Sequence, residues 1–233
     1  MIRPAAVRDA LRMLHLAAKL LAGRFYPPVP AFVLVWPALM WLFLLAGNPP
    51  NGYRPPQALS WLIGLPLGMF GAALGVRVIA GEIDRRTLEI AYTIPGGAWR
   101  LFAWKLVAGL PLILWAEALL AAAAFLLFTD FPAGALYGAF QIGYFYLVVG
   151  MAAGALAKSE ITGAMIAFGA VYLGWLAGWL RISPFFDPTV WTDRDDATRL
   201  AWAVQNRLGM LLAAVALTAL AFGRAERRER LLS

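Results

Sequence analysis

One charged stretch separates two long apolar runs of this chain: Gly81-Glu82-Ile83-Asp84-Arg85-Arg86-Thr87-Leu88-Glu89-Ile90-Ala91-Tyr92-Thr93-Ile94-Pro95-Gly96-Gly97-Ala98-Trp99-Arg100. It carries both acidic and basic side chains, and Lys105 follows it. Charged side chains are costly inside a bilayer, so a cluster of them between two apolar runs is predicted to lie in water. We interpret the stretch as a cytoplasmic docking element.

The composition places the chain among integral membrane proteins. Of its 233 residues, 62% are hydrophobic and 14% are charged, whereas soluble domains carry about 25% charged residues. The net charge of +7 is compatible with a nucleic-acid partner. We reject that partner because the basic residues adjoin apolar runs, where anionic lipid headgroups account for them. The chain has no Cys, which excludes disulfides and thiol chemistry.

Six apolar runs are long enough to cross a bilayer. The predicted fold is therefore an all-α integral membrane protein, a single transmembrane domain over 1–233 with six transmembrane helices. The runs are Val29–Gly47, Ala58–Ala80, Val107–Phe128, Ala133–Ala157, Ile161–Leu180 and Ala201–Gly223. No cleavable signal peptide is expected, because the first run begins only after a long charged segment. Arg207 interrupts the start of the last run, and we expect it to snorkel to the outer headgroups.

Basic residues predict the orientation of these spans. The segments that fall on one side hold fifteen Lys and Arg, and those on the other side hold five. Because basic residues are enriched in cytoplasmic loops, both termini are predicted to be cytoplasmic, in a bacterial inner membrane. The longest outer segment, 181–206, mixes aspartates with aromatic side chains, which are ordinary at headgroup depth.

The segment before the first span is predicted to be an amphipathic helix over 4–24. Its basic stripe and its apolar face recur at helical spacing, which favours a helix lying in the inner membrane interface. The stripe is formed by Arg8, Arg12, His15 and Lys19, and the apolar face by Val7, Leu11, Leu14, Ala18 and Leu21. His15 is the only His in the chain, so it is interpreted as a solvated interfacial residue and not as a metal ligand.

Residues 82–105 resemble a pattern of the membrane subunits of type-two ABC exporters. That pattern is an acidic and basic stretch followed by G-T-L-E, a Pro six residues after the Glu, and a Lys ten residues after the Pro. Thr87-Leu88-Glu89, Pro95 and Lys105 match these positions, and Glu82 and Asp84 supply the acidic lead-in. Arg86 stands where the family usually has Gly, which suggests that the segment stays helical through that point.

The resemblance implies a cytoplasmic coupling helix, 82–97, that docks into a groove on a separate ATPase subunit. That subunit would bind ATP and Mg, and this chain would bind no cofactor. Docking requires charges for orientation and apolar anchors for affinity. The candidate docking residues are Glu82, Asp84, Arg85, Arg86, Leu88, Glu89, Ile90 and Tyr92. The resemblance also implies a dimer with a second copy or a similar permease subunit. An ordinary charged loop is the simpler alternative, but the positive-inside rule requires no Asp or Glu.

Other chemistry has little support in the sequence. The chain lacks a P-loop, an HExxH motif and a CxxC motif, and no Ser or Thr has a His partner for nucleophilic catalysis. We therefore predict no catalytic residues and no metal site. Glu117 is the only acidic residue deep in a predicted span, and it is a candidate intramembrane polar site. A role in substrate contact or gating and a simple interhelix hydrogen bond are equally open for it.

Two readings of function follow. The first is the permease subunit of an ATP-driven ABC exporter, with the haem-export permeases as a related possibility that the single His disfavours. The second is a stand-alone ion-coupled secondary transporter or an intramembrane enzyme. A coupled transporter usually needs buried ionisable relays and broken helices, for which only Glu117, Pro66 and Pro111 qualify.

Overall fold

The computed structural model describes residues 4–24, 26–50, 52–87, 92, 97–132 and 134–226, and every regular element in these ranges is a helix. The prediction of an all-α fold is therefore confirmed. The helices are α1 (Pro4–Ala22), α2 (Val35–Leu45), α3 (Leu65–Asp84), α4 (Ala98–Leu127), α5 (Gly134–Ala157), α6 (Glu160–Leu176) and α7 (Asp196–Ala225). A 3-10 turn, Val29–Leu34, leads into α2, and a π-helical segment, Ala58–Gly64, leads into α3.

Four helical segments are long and apolar enough to cross a membrane. They are Leu59–Asp84, Ala98–Leu127, Gly134–Ala157 and Asp196–Ala225. Val29–Leu45 and α6 are apolar but shorter. The 17 residues of α6 reach about 25 Å, which is less than the roughly 30 Å of a hydrocarbon core. The helices are therefore compatible with a multi-pass membrane protein, and the described residues contain four candidate spans where the sequence predicts six.

Two helices begin earlier than predicted, because a charged side chain ends an apolar run without ending a helix. The third span was expected from Val107, but α4 starts at Ala98 and includes Lys105. The last was expected from Ala201, but α7 starts at Asp196. Asp195 caps α7 by accepting hydrogen bonds from Thr198. The Thr198 hydroxyl and backbone N–H hold the pKa of the Asp195 carboxyl below its usual value.

The centre of the bundle is the pair α3 and α5, which cross at glycines. Gly71 lies against the carbonyl of Gly143, and Gly150 lies against the carbonyl of Ala72. A Cβ at either glycine would collide with backbone of the other helix. Small residues thus let the two backbones approach closely, and here they pack two helices of the same chain against each other.

Interhelix contacts sort the connecting segments into two ends. At one end, the Glu160 N–H donates to Asp84, Arg85 contacts the Leu20 carbonyl, and the Tyr92 hydroxyl donates to the Ala225 carbonyl. We call this the inner end, because these residues belong to the segments predicted to be cytoplasmic. At the other end, the outer end, Asn206 donates to the carbonyls of Arg181 and Ser183, and Tyr53 packs on Phe128.

Helix α1 forms as predicted, but its apolar face is only partly buried. Ala17, Ala18 and Leu21 pack into the bundle, whereas Val7 and Leu11 are exposed. The basic stripe is exposed along its whole length: Arg8, Arg12, His15 and Lys19. Leu16 and Leu20 are also exposed, on the side opposite to the buried face. The His15 ring contacts the Tyr26 hydroxyl at 2.8 Å.

Candidate functional site

The charged stretch begins with a helix end that the sequence did not predict. Helix α3 stops at Asp84, and Arg86 adopts φ +57°, in the left-handed region. The Arg86 N–H donates to the Ile83 carbonyl, and the Thr87 N–H donates to the Glu82 carbonyl, each at 3.0 Å. This pair of bonds is a Schellman motif, which normally carries Gly at the left-handed position. The expectation that the segment stays helical through Arg86 is therefore wrong.

A buried ion pair between Glu82 of α3 and Lys105 of α4 joins the two helices that flank the charged stretch. We call this ion pair the base of the stretch. Lys105 Nζ lies 2.5 Å from Glu82 Oε1 and donates to the Val78 carbonyl at 3.1 Å. The Thr87 hydroxyl donates to the second carboxylate oxygen, Glu82 Oε2. Lys105 is fully buried, and Glu82 is 6% exposed. Each oxygen of the carboxylate has a donor, which is the condition under which a buried ion pair is tolerated.

Glu82 therefore does not lie where a docking residue must lie. Its carboxylate is enclosed by Lys105 and Thr87 and is not presented at the surface of the chain. Lys105 belongs to the sequence pattern, but no role was predicted for it. The sequence does contain an indication of the ion pair, because Glu82 and Lys105 have opposite charges and lie at the two ends of the stretch, each within a long helix.

Asp84 and Arg85 are exposed but also hold the inner end together. Asp84 Oδ2 accepts from the backbone N–H of Glu160 at 2.8 Å and thereby satisfies the start of α6. Glu160 in turn lies 3.8 Å from Arg77 of α3. Arg85 reaches the Leu20 carbonyl of α1 at 3.5 Å. The stretch thus leaves α3 at a point that is fixed to α1 and α6.

Tyr92 is half-buried and anchors the stretch to the last helix. Its hydroxyl donates to the Ala225 carbonyl at 2.5 Å. The remaining predicted docking residues lie outside the described residues, so their docking role stays a prediction. They are Leu88, Glu89 and Ile90. Half of the predicted coupling helix, 82–97, also lies outside the described residues. Where the structure describes the stretch, 85–87 is a turn and not a helix.

Glu117, the candidate intramembrane polar site, faces protein. The residue is 6% exposed on α4, and its Oε1 has no hydrogen-bonding partner among the described residues. Its role in substrate contact or gating stays a prediction. In the same ranges, no cluster of His, Asp and Glu has the geometry of a metal site.

A large cavity lies at the outer end, far along the bundle from the charged stretch. It has a volume of about 680 Å³ and is lined by the start of α5, the 184–189 loop and the N-terminal half of α7. Arg207 lines it, and the nearest atom to a Cβ built on Gly138 would be Arg207 Nη2. The Arg207 guanidinium lies against α5 in the space that Gly138 leaves, and its expected position at the outer headgroups stays a prediction.

Comparisons with known proteins give no match: no family model, no curated protein and no solved structure is similar enough to this chain to be assigned to it.

Proposed function

We propose that this chain is the membrane-spanning permease subunit of an ATP-driven exporter of the type-two ABC class. It would cross a bacterial cytoplasmic membrane six times, with both termini inside and α1 in the inner interface. A separate ATPase subunit, which binds ATP and Mg, would dock on the charged stretch. A second copy or a similar permease subunit would complete the transport path.

The observation that carries the proposal is the rigid base of the charged stretch. A docking element binds more tightly when it is ordered before it meets its partner, because less conformational freedom is lost on binding. Here the Glu82–Lys105 pair fixes the two helices from which the stretch emerges. Asp84 and Arg85 fix its start to neighbouring helices, and Tyr92 fixes its middle to α7. An ordinary loop does not require these tethers.

The turn at Arg86 supports the same proposal. The type-two ABC exporter pattern has Gly at this position, and this chain adopts there the left-handed conformation that Gly favours. The departure from the pattern thus changes the residue and keeps the conformation. With Glu82 and the Tyr92 hydroxyl occupied within the chain, the surface left for a partner has Arg85, Arg86, Trp99 and Arg100, all exposed.

The length of the two shorter apolar segments is compatible with six crossings. Val29–Leu45 begins near Tyr26, which contacts His15 of α1, and ends near the 48–53 loop of the outer end. Helix α6 begins at the inner end, where Asp84 accepts from the Glu160 N–H, and its last turn meets Ser183 of the outer end. Both segments therefore connect the two ends of the bundle, and local bilayer thinning accommodates short spans at modest cost.

One observation favours the second candidate, an ion-coupled secondary transporter. Glu117 is buried, and its Oε1 lacks a partner among the described residues; intramembrane carboxyl groups often mark proton relays. That candidate requires no ATPase. Glu117→Gln would then abolish transport by the purified chain in liposomes, whereas the exporter requires the ATPase for any transport.

Charge reversal on the docking surface tests the first candidate. In the double variant Arg85→Glu and Arg86→Glu, we expect the ATP hydrolysis that co-purifies with the chain to fall at least about tenfold, since a hot-spot residue contributes about 2 kcal/mol or more. The matched control is Arg54→Glu with Arg194→Glu, which reverses two charges at the outer end. Equal loss in both double variants would contradict the proposal.

Accessible cysteines test the orientation. The chain has no Cys of its own, so single cysteines report without background. We expect Asp193→Cys to react with a membrane-impermeant thiol reagent in intact cells and Arg86→Cys to react only after the membrane is opened. Labelling of Arg86→Cys in intact cells would place the charged stretch outside and exclude docking to a cytoplasmic ATPase.

A further inference from the structure

The outer cavity combines apolar walls with two opposite charges. Leu59, Ile142, Phe185 and Phe186 contribute to its walls, and Arg207 and Asp187 also line it. Its volume of about 680 Å³ falls in the range of small-molecule sites, about 300–1,000 Å³. Such sites are mostly apolar with a few polar groups that fix the ligand's orientation.

Each of the two charged side chains has one buried atom that the chain leaves without a hydrogen bond. Among the described residues, Arg207 Nη1 and Asp187 Oδ2 have no hydrogen-bonding partner, and the two side chains do not approach within the distance of an ion pair. The other Asp187 carboxylate oxygen, Oδ1, accepts hydrogen bonds from the backbone N–H and the hydroxyl of Thr189. A buried polar atom that lacks a partner is destabilising, so native chains usually satisfy it with another group.

The surrounding contacts hold Arg207 toward the cavity. Its guanidinium lies against Gly138 and about 6.0 Å from the centre of the Tyr137 ring. The Arg207 carbonyl accepts from Gln141 of α5 at 3.1 Å, which fixes this turn of α7 against α5. The next residue back, Asn206, ties α7 to the loop that carries Asp187 through the carbonyls of Arg181 and Ser183. These hydrogen bonds therefore hold in place the backbone that carries the two charged side chains.

The cavity is open toward the side of the bundle. Tyr137, Val204 and Leu208 line it, and each of them is also strongly exposed on the outside of α5 or α7. In a membrane protein this surface faces hydrocarbon or another subunit. A ligand with a long hydrocarbon portion therefore has a path by which that portion leaves the cavity without crossing water.

We propose that this cavity binds an amphipathic zwitterion with an ammonium group, an anionic phosphate or carboxylate, and a hydrocarbon chain. The anionic group binds the Arg207 guanidinium, whose planar fork suits phosphate and carboxylate oxygens. The ammonium group donates to Asp187 Oδ2. The hydrocarbon chain lies along Phe185 and Ile142 and leaves between α5 and α7. A purely anionic amphiphile would leave Asp187 unsatisfied and would be repelled by it.

The site is separate from the docking surface, because it lies at the opposite end of the bundle and needs no ATPase. Binding is therefore measured on the purified full chain alone, and its outcome is independent of the outcome for the ATPase. The probes are lysophosphatidylethanolamine, which is zwitterionic, and lysophosphatidylglycerol with the same acyl chain, which is anionic. Both are titrated against the chain in a neutral detergent and counted by native mass spectrometry.

The wild-type chain is expected to bind the ethanolamine probe at least about tenfold more tightly than the glycerol probe, the effect of one charge-assisted hydrogen bond. Arg207→Gln should weaken binding of both probes, and Asp187→Asn should remove the preference between them. Arg194→Gln and Asp193→Asn, charges of the same loop outside the cavity, should bind as the wild type does. Equal affinity of the wild type for both probes would overturn the proposal, as would unchanged binding by Arg207→Gln.

A further variant keeps both charged side chains, so that a loss of binding can be separated from misfolding caused by the loss of a charge. In Gly138→Ala, the added Cβ would lie 2.7 Å from Arg207 Nη2, so the guanidinium must shift. We expect weaker binding of both probes with an unchanged elution volume and melting temperature. Wild-type affinity in this variant would contradict a site at Arg207.

The compounds that co-purify with the chain identify the source of the ligand. A bilayer lipid with this chemistry would be extracted with the wild-type chain and be absent from the Arg207→Gln chain. An exported compound with the same chemistry would be absent from both and would raise ATP hydrolysis when it is added to the complete complex. Either result supports the site, and the absence of both effects contradicts it.

Discussion

Lys105 and Arg207 are both cations that α-helices carry into the bundle, and the chain treats them in opposite ways. Lys105 has Glu82 at 2.5 Å and the Val78 carbonyl at 3.1 Å, and Glu82 is also bound by Thr87. Arg207 shares a cavity with Asp187, but Arg207 Nη1 and Asp187 Oδ2 have no hydrogen-bonding partners among the described residues. A buried charge with its partners stabilises the fold, whereas the two opposite charges beside the cavity are the groups on which the proposed ligand site rests.

The largest effect is expected when the satisfied pair is broken. Lys105→Met leaves the Glu82 carboxylate buried without its cation, which typically costs about 3–5 kcal/mol. We expect a large fall in the melting temperature of the purified chain. Lys19→Met, which removes an exposed Lys of α1, should leave the melting temperature unchanged.

The double variant Glu82→Gln with Lys105→Met sharpens this result. It removes both charges, so the uncompensated carboxylate is gone and part of the stability should return. A double variant that is no more stable than Lys105→Met would show that Glu82 and Lys105 are not energetically coupled, and the rigid base of the charged stretch would lose its support.

The Thr87 hydroxyl is expected to matter less. Thr87→Val removes one donor to the buried Glu82 carboxylate, a change that costs about 1.5–3 kcal/mol for bonds to charged groups. Thr198→Val removes a similar bond, of 2.6 Å, to Asp195 at the exposed start of α7. Water can replace that donor, so the second variant should lose clearly less stability by thermal melting. Equal losses would mean that Glu82 is better hydrated than its burial indicates.

A gain of stability is expected at Arg86. A non-glycine residue in the left-handed region costs about 1–2 kcal/mol, so Arg86→Gly should raise the free energy of unfolding by up to about 1 kcal/mol. Arg85 has φ −82°, and Arg85→Gly should lower stability because it adds chain entropy to the unfolded state and removes the Arg85 contact with the Leu20 carbonyl. The opposite ranking in the melting temperatures would contradict the Schellman motif.

The smallest effect is expected at the unsatisfied pair. Arg207→Leu replaces a cation that has no partner at Nη1 with an apolar side chain, and such replacements are often neutral or stabilising. We expect the melting temperature to change by little, in contrast to Lys105→Met. A loss comparable to that of Lys105→Met would show that Arg207 holds the fold together and would remove the contrast between the two ends.

The sequence predicts most of the architecture because apolar length and helical spacing act locally. The cores of α3, α4, α5 and α7 lie within predicted runs, and α1 lies within 4–24. The start of α4 was misplaced because Lys105 looks like the edge of a span until its partner Glu82, on another helix, is known. A run of apolar residues carries no information about such a partner.

The features of the two sites depend on conformation and tertiary contacts that no pattern encodes. The left-handed turn was missed at Arg86, because an Arg at this position signals a continuing helix where Gly would signal its end. The direction of Arg207 depends on the space at Gly138, a residue that is distant in sequence. Asp187 resembles any other aspartate of an outer segment until the fold brings it to the same cavity.

ATP hydrolysis that co-purifies with the chain from membranes of its source cells tests the central claim most directly. The wild type and the outer-end control, Arg54→Glu with Arg194→Glu, are predicted to retain vanadate-sensitive ATP hydrolysis above that of a mock purification. The docking-surface variant, Arg85→Glu with Arg86→Glu, is predicted to lose it while the chain stays folded, as shown by an unchanged elution volume. No hydrolysis with the wild type, or the same hydrolysis with both double variants, would contradict a docked ATPase.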